Sequence, residues 1–472
     1  MVKCNMLVMR VERPLRSATR SLTAVALILV LCTGLARAAL KDTVYETVLG
    51  NGLKVILLEN HKAPLVTFQV WYRVGSRNEA WGKTGLSHML EHMMFKGTTR
   101  VSAKEFSRIL EENGGNNNAF TSTDFTAYFE NIYAEKVDIP IMLESDRMQN
   151  LLLREEDFRT ELQVVMEERR LRTEDNPEAS LAENMEATAF QIQPYHWPVI
   201  GCMVDLQGFT IEDVKAYHAI YYSPSNAFLV VAGDFDRKRV LASIDAAFGS
   251  IPSGKAPDQV RNLDEPQRGE RRIVVEKEAL LPSIIMGYHV PNLKNDDSYA
   301  LEVVEGILSA GKSSRLYRGL VRERQIALNV DADHALLSKD PHLFTISVDP
   351  LPGKGMEEVE KAIDQEVDRL GKEPVDAQEL EKVKNQLEAS FIYGQDSIFS
   401  QAMLLAQYEI AGDWRLADDY VPKIRNVSAQ DVMRAVARYL SPENRTVAIL
   451  KAIPPTKETP TQELGGKERI IR

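Results

Sequence analysis

Along the chain the apolar positions alternate between a spacing of two, the repeat of a strand, and a spacing of three to four, the repeat of a helix. Residues 45–60, YETVLGNGLKVILLEN, predict a hairpin turning at Asn51-Gly52, and residues 65–75, LVTFQVWYRVG, predict a buried strand. Helical spacing follows in TGLSHMLEHMMF, residues 84–95, and in SAKEFSRILEENG, residues 102–114, where Ser102 offers an N-cap and Gly114-Gly115 a stop. Residues 155–175, EEDFRTELQVVMEERRLRTED, place Glu161, Val164, Val165 and Glu168 on one helical stripe. Acids that share a stripe with two valines are expected to point inward, and Glu167, off the stripe, to be more exposed. The mixture favours an α+β layer, an antiparallel sheet with helices on one face, over βαβ alternation.

The pattern also repeats. Residues 213–232, DVKAYHAIYYSPSNAFLVVA, align without a gap to residues 431–450, DVMRAVARYLSPENRTVAIL, with seven identities. Each reads as a helix, a Ser-Pro-x-Asn turn and an apolar strand, so two domains on one plan are expected. Between them residues 251–270 carry Pro252, Pro257 and Pro266 without periodicity and read as an interdomain linker. The expected division is therefore a first domain over 39–250, a second over 271–454, and a disordered tail over 455–472.

Residues 1–38 stand apart: five basic residues precede an uncharged stretch with AVALILVL at its heart, ending in Ala36-Arg37-Ala38. That order describes a cleaved signal peptide and an exported, periplasmic protein; an uncleaved membrane anchor is the less favoured alternative. Cleavage removes Cys4 and Cys32, leaving Cys202 without a partner for an intramolecular disulfide, and moves the net charge from −11 to −16. A surface this acidic repels phosphate backbones and argues against nucleic acid as a partner.

Histidine is scarce, eight in 472, yet His88 and His92 lie four apart with Glu91 between them. At that spacing both imidazoles occupy one helix face, where they can reach one zinc ion at about 2.0–2.1 Å. Glu91 sits beside that face, near enough to polarise an attacking water. A catalytic zinc needs a third protein ligand, and the inward stripe offers Glu161 or Glu168 without choosing between them.

HMLEH followed by ELQVVMEE resembles the pitrilysin/insulinase family of zinc metallopeptidases, whose motif inverts the usual HExxH order. Similar stretches recur in GLSHMLEHMMFKGT, GGNNNAFTSTDFTAY, PYHWPVIG, YYSPSNAFLVVAGDF and GKSSRLYRGLVRE, nearly the whole chain after residue 38. The resemblance implies two homologous α/β-roll domains facing each other as a clamshell, with one zinc per chain in the first. It implies a third ligand 76 residues beyond the second His, which is Glu168, and makes Glu161 a carboxylate that orients a ligand. It implies Glu91 as the catalytic base of peptide hydrolysis, and Asn118, Ala119 and Phe120 as an edge that pairs with the substrate backbone.

The second half departs from the pattern. Aligning Gly311 with Gly97 puts Glu302, Glu305 and Gly306 where the first half has His88, Glu91 and His92. The family's substrate-holding Arg is matched by Arg322, but Leu328 and Asn329 stand where its Tyr belongs. That gap leads to the expectation of a homodimer, or a heterodimer with a family member that supplies the Arg/Tyr pair. The alternatives are a non-catalytic assembly subunit and a mitochondrial presequence-processing subunit; the intact zinc residues favour an endopeptidase acting on peptides or unfolded segments.

Overall fold

The computed structural model describes residues 40–454; the signal-peptide and tail expectations, 1–38 and 455–472, lie outside the described residues. The helical turn Leu40–Thr43 belongs to a unit of its own, and the chain from Val44 onward packs as another. In that body each half builds one sheet. The first contains β1 (Val44–Val48), β2 (Lys54–Glu59), β3 (Leu65–Tyr72), β4 (Asn116–Thr121), β5 (Thr126–Tyr133) and β6 (Ala227–Gly233), in the order β1-β2-β6-β3-β5-β4. The second contains β7 (Arg271–Glu278), β8 (Ser283–Val290), β9 (Ala327–His334), β10 (His342–Pro350) and β11 (Arg445–Ile453), in the order β7-β11-β8-β10-β9. Between the halves, residues 252–268 take no regular structure.

The first half's helices of consequence are α1 (Leu86–Met93), α2 (Ala103–Glu112), α3 (Glu155–Arg169), α4 (Pro177–Ala189) and α5 (Ile211–Tyr221). Those of the second are α6 (Asp297–Ser309), α7 (Ile398–Ala411) and α8 (Ala429–Tyr439). Ser102 caps α2 in a box with Glu105, as its position before the helical run suggested. The repeated segment becomes α5 and β6 in one half and α8 and β11 in the other. Its shared residues have a mechanical reason. The Asn226 side-chain amide donates to Tyr221 O at 2.9 Å and that of Asn444 to Tyr439 O at 2.7 Å, so each Asn satisfies an orphan carbonyl at its helix end. Thr210 with Asp213, and Ser428 with Asp431, close a capping box at the other end.

These strands arrive by crossover, and each therefore has one parallel neighbour: β6 lies parallel to β2, and β11 parallel to β7. The expected antiparallel character holds for every other pair in the two sheets.

Helices cover more than one face. In β3, Val66, Phe68, Val70 and Tyr72 enter the core beneath the first half's own helices. The alternate residues Thr67, Gln69 and Trp71 are equally buried, because α7 from the second half packs across β3 and β6. Trp71 donates its indole N–H to Gln69 Oε1 at 3.0 Å, satisfying that polar edge without water. The exchange is reciprocal: α4 of the first half packs on β7, β8 and β11 of the second. There Leu181, Met185 and Ala189 join Leu343, Ala448 and Leu450 in one cluster. Gly287 on β8 makes room for this helix, since a Cβ there would stand 1.8 Å from Met185 Cε and push that side chain aside.

Candidate metal centre

Gly85, at φ 96°, ends the loop before α1 and serves as its N-cap. It lies back to back with Gly201; a Cβ on Gly85 would come within 2.7 Å of Ile200 O, so the loop Pro198–Gly201 presses against the helix start. The Glu79 carboxylate accepts the Gly85 and Ser87 backbone N–H groups, each at 2.7 Å, which ties down the first turn. Met89, Leu90 and Met93 then anchor one side of α1 in the core, and the other side presents His88, Glu91 and His92 to a cleft.

Helix α3 crosses α1 and brings Glu161 and Glu168 to those imidazoles. Glu168 Oε2 stands 3.7 Å from His88 Nε2 and 3.3 Å from His92 Nε2. Among the described residues these three are the only His, Cys, Asp and Glu side chains whose ligand atoms gather as a potential metal site. Arms of 2.0–2.1 Å at tetrahedral angles separate ligand atoms by about 3.3 Å, so the two measured gaps fit a zinc ion between them. Glu161 takes the other side of His92, Oε2 to Nδ1 at 3.2 Å, while Lys96 holds its Oε1. A ring held through Nδ1 directs its Nε2 lone pair at the shared point. Spacing along α3 does not distinguish Glu161 from Glu168; the geometry separates them into one that faces both rings and one that steadies the second.

The charges follow. Burial, with the neighbouring His92, pushes the His88 imidazole down to about 4. Burial also pulls on His92, but hydrogen bonds to Glu161 and Glu168 carry it up to about 9. A hydrogen bond from His92 holds Glu168 below the usual carboxylate range. Burial raises the Glu91 carboxyl, against the Thr121 hydroxyl that donates to its Oε2.

The cleft has a volume of about 1600 Å³. Asn118, Ala119, Phe120 and Thr121 of β4 line it, and β4 is the free edge of its sheet. Asn118 Oδ1 already accepts the Ala119 N–H at 2.9 Å, a local cap that an added strand would displace. The opposite wall includes Val164 and Glu168 of α3, together with Leu171 and Arg172 from the π-helical turn Arg170–Glu174. Val165 is fully buried as expected of the stripe, whereas Val164 is 46% exposed because it faces this cleft and not the core. Phe399 and Met403 of α7 close one side from the second half.

Several members of the site escaped the sequence. Thr121 looked like one more strand residue. Arg172, whose Nε reaches Glu168 Oε1 at 2.9 Å, and Lys96 looked like ordinary surface cations; their only signal was an i, i+4 spacing from Glu168 and from His92 respectively. Phe399 and Met403 carried no local signal at all. Conversely, Arg322 is exposed and does not line the cleft, and Leu328 and Asn329 are exposed on β9.

Residues 54–202 match the family model described as Insulinase (Peptidase family M16), and residues 208–387 match the one described as Peptidase M16 inactive domain. The chain is 35% identical over 408 residues to a Helicobacter pylori protein named zinc protease PqqE, spanning 85% of this chain and 91% of that one. It is 26% identical over 404 residues to a Rickettsia felis protein named uncharacterized zinc protease, spanning 85% and 96%. A crystal structure of a protease from Helicobacter pylori superposes with a TM-score of 0.83 at 34% identity, over 86% of this chain and 99% of that one.

Proposed function

This chain belongs to the M16 peptidase family, the insulinase family, and from that premise we propose that it is a zinc-dependent endopeptidase acting on peptides or unfolded segments. The observation that carries the reading is the convergence of His88 Nε2, His92 Nε2 and Glu168 Oε2 on one point beside Glu91. Zinc held there would supply Lewis-acid polarisation of a scissile carbonyl and of water. Glu91 takes the proton of the attacking water and returns it to the leaving amine. Thr121, by donating to Glu91 Oε2, fixes which oxygen is free to do so. The β4 edge offers backbone donors and acceptors to an extended peptide once Asn118 releases the Ala119 N–H, and Phe120 gives that edge an apolar surface. Arg172 restrains the far oxygen of Glu168 and so presents Oε2 to the two rings. Export, read from residues 1–38, belongs to the same proposal.

The test measures zinc content and cleavage of an unstructured peptide for wild type and Glu91→Gln. The variant should bind zinc normally and lose about 10²–10⁴-fold in rate. Retained cleavage would remove Glu91 as the base; absence of zinc from active wild type would remove the metal reading.

One observation favours a second reading, in which a partner chain completes the site. Arg322 does not line the cleft, and no tyrosine stands at 328 or 329. In that case the purified chain alone should be slow, and adding the partner, another copy or a second family member, should raise the rate. A full rate from the monomer excludes it.

A further inference from the structure

A second cavity, of about 570 Å³, lies across the β4–β5 turn and has no part in the reading above. Ser122–Phe125 line it from the first half; Glu302, Glu305, Asp333, His334, Tyr408 and Tyr420 line it from the second. Glu302 and Glu305 occupy on α6 the places that His88 and Glu91 hold on α1. The cavity is thus the second half's counterpart of the metal centre, with carboxylates where the first half has an imidazole and its base.

Its acids are unevenly provided for. Glu302 is satisfied: Oε1 pairs with His334 Nδ1 at 2.9 Å, and Oε2 accepts the Tyr420 hydroxyl at 3.0 Å. Glu305 takes a backbone hydrogen bond from His334 and Asp333 lies near the His334 ring, but neither is paired to a Lys or Arg, and none lines the cavity among the described residues. Burial, reinforced by Glu302, Asp333 and Asp331, pushes the Glu305 carboxyl up to about 9. A separate observation points the same way. Tyr408, 1% exposed overall, lines the cavity, and no side chain among the described residues pairs with its hydroxyl, which leaves that oxygen for an occupant. Phe391, stacked on Tyr420 at 4.6 Å, adds an aromatic wall. The carboxylates do not converge as His88, His92 and Glu168 do, which disfavours a bare metal ion. The volume suits a larger occupant, within the range of about 300–1,000 Å³ usual for ligand sites.

We infer that this cavity binds an organic cation, a primary ammonium or guanidinium group, with the Glu305 and Asp333 carboxyl groups and the Tyr408 hydroxyl as its hydrogen-bond acceptors. The aromatic wall favours such a group by cation–π attraction. Two sources share this chemistry: a basic side chain of a peptide and a free amine. The peptide source has a path, because β4 leads directly into Ser122–Phe125, and Thr121, next to Ser122, is the residue that holds Glu91.

Titration calorimetry on the full-length, metal-free Glu91→Gln chain tests this without reference to zinc or activity. The probes are pentane-1,5-diamine and the blocked tripeptide Ac-Ala-Lys-Ala-NH2, with the norleucine tripeptide as neutral control. At least one cationic probe should bind one to one, and the control should not. Combining Glu305→Gln with Asp333→Asn should weaken binding about tenfold or more, and Tyr408→Phe should weaken it several-fold. Should the double variant fail to fold, Asp333→Asn alone, at an exposed strand position, carries the test. Binding of the diamine alone assigns a free amine and binding of the tripeptide alone a peptide side chain. No binding by either probe, or binding that these variants leave unchanged, overturns the inference.

Discussion

Raising the pH from about 6 to about 8 should tighten zinc binding to the metal-free chain roughly a hundredfold. The metal takes neutral imidazoles. His88, held down to about 4, has no proton to give up in this range. His92, carried up to about 9 against its ordinary 6.5, must release one. Affinity therefore climbs about tenfold per pH unit and levels off near pH 9, which over two units is about 2.7 kcal/mol. The assay is competition against a chelating dye of known protonation behaviour, at fixed ionic strength. A weakly buffered indicator at pH 7 should count about one proton released per zinc bound. Glu161→Gln separates the contributions. With the carboxylate gone, His92 holds its proton less tightly, so proton release at pH 7 should fall. Above pH 9, where proton competition has vanished, the loss of ring orientation alone should remain as a drop of about 10- to 100-fold in affinity. Flat affinity from pH 6 to 8 with no proton release would refute the assignment of Glu161 and Glu168 as partners of a protonated His92.

Other outcomes follow from the same geometry. Thr121→Val removes the donor that opposes the raised pKa of Glu91, so the acid limb of the kcat/KM profile should move to higher pH. Metal-free chain should lose stability as pH rises toward 9. Glu79, Glu305 and His92 all have folded values above their ordinary ones, near 8, 9 and 9, so what their protonated forms contribute disappears as pH passes through them; melts at pH 6 and 9 check the sign. Glu409→Ala on α7 removes the carboxylate paired to Arg73 at 2.6 Å and to Lys54 at 2.8 Å, leaving Lys54 its second partner Glu46 at 3.2 Å. Because those cations are partly exposed, a cost of about 3 kcal/mol, the lower end for a broken buried pair, is expected in the denaturation midpoint.

How much of this was legible in the sequence depended on whether a relation was local. The i, i+4 pair His88 and His92, the Ser102 box and the helix-turn-strand repeat are each settled within a few residues, and the chain wrote them plainly. The third ligand was half legible: the stripe showed that Glu161 and Glu168 both face inward, but which one meets both rings depends on the crossing of α1 and α3, and no spacing within one helix encodes that. Val164 misled for a related reason. An apolar residue on the inward stripe reads as core, whereas here it lines a cleft, and a cleft wall and a core have the same composition.

The exchange of α4 and α7 between the halves was least visible, and it matters most for the site. Strand β3 is apolar at Val66, Phe68, Val70 and Tyr72, the alternation of a sheet covered on one side; yet Thr67, Gln69 and Trp71 on the other side are buried too. What hides that mixed face is α7, which begins 326 residues after β3 ends. The same helix brings Phe399 and Met403 into the cleft that holds His88, Glu91 and His92. Covering the first sheet and closing the candidate active site are therefore one structural event. A change that loosens α7, such as the loss of Glu409, should disturb peptide binding through Phe399 and Met403 before it disturbs the metal, because none of the three gathered ligand atoms lies on α7.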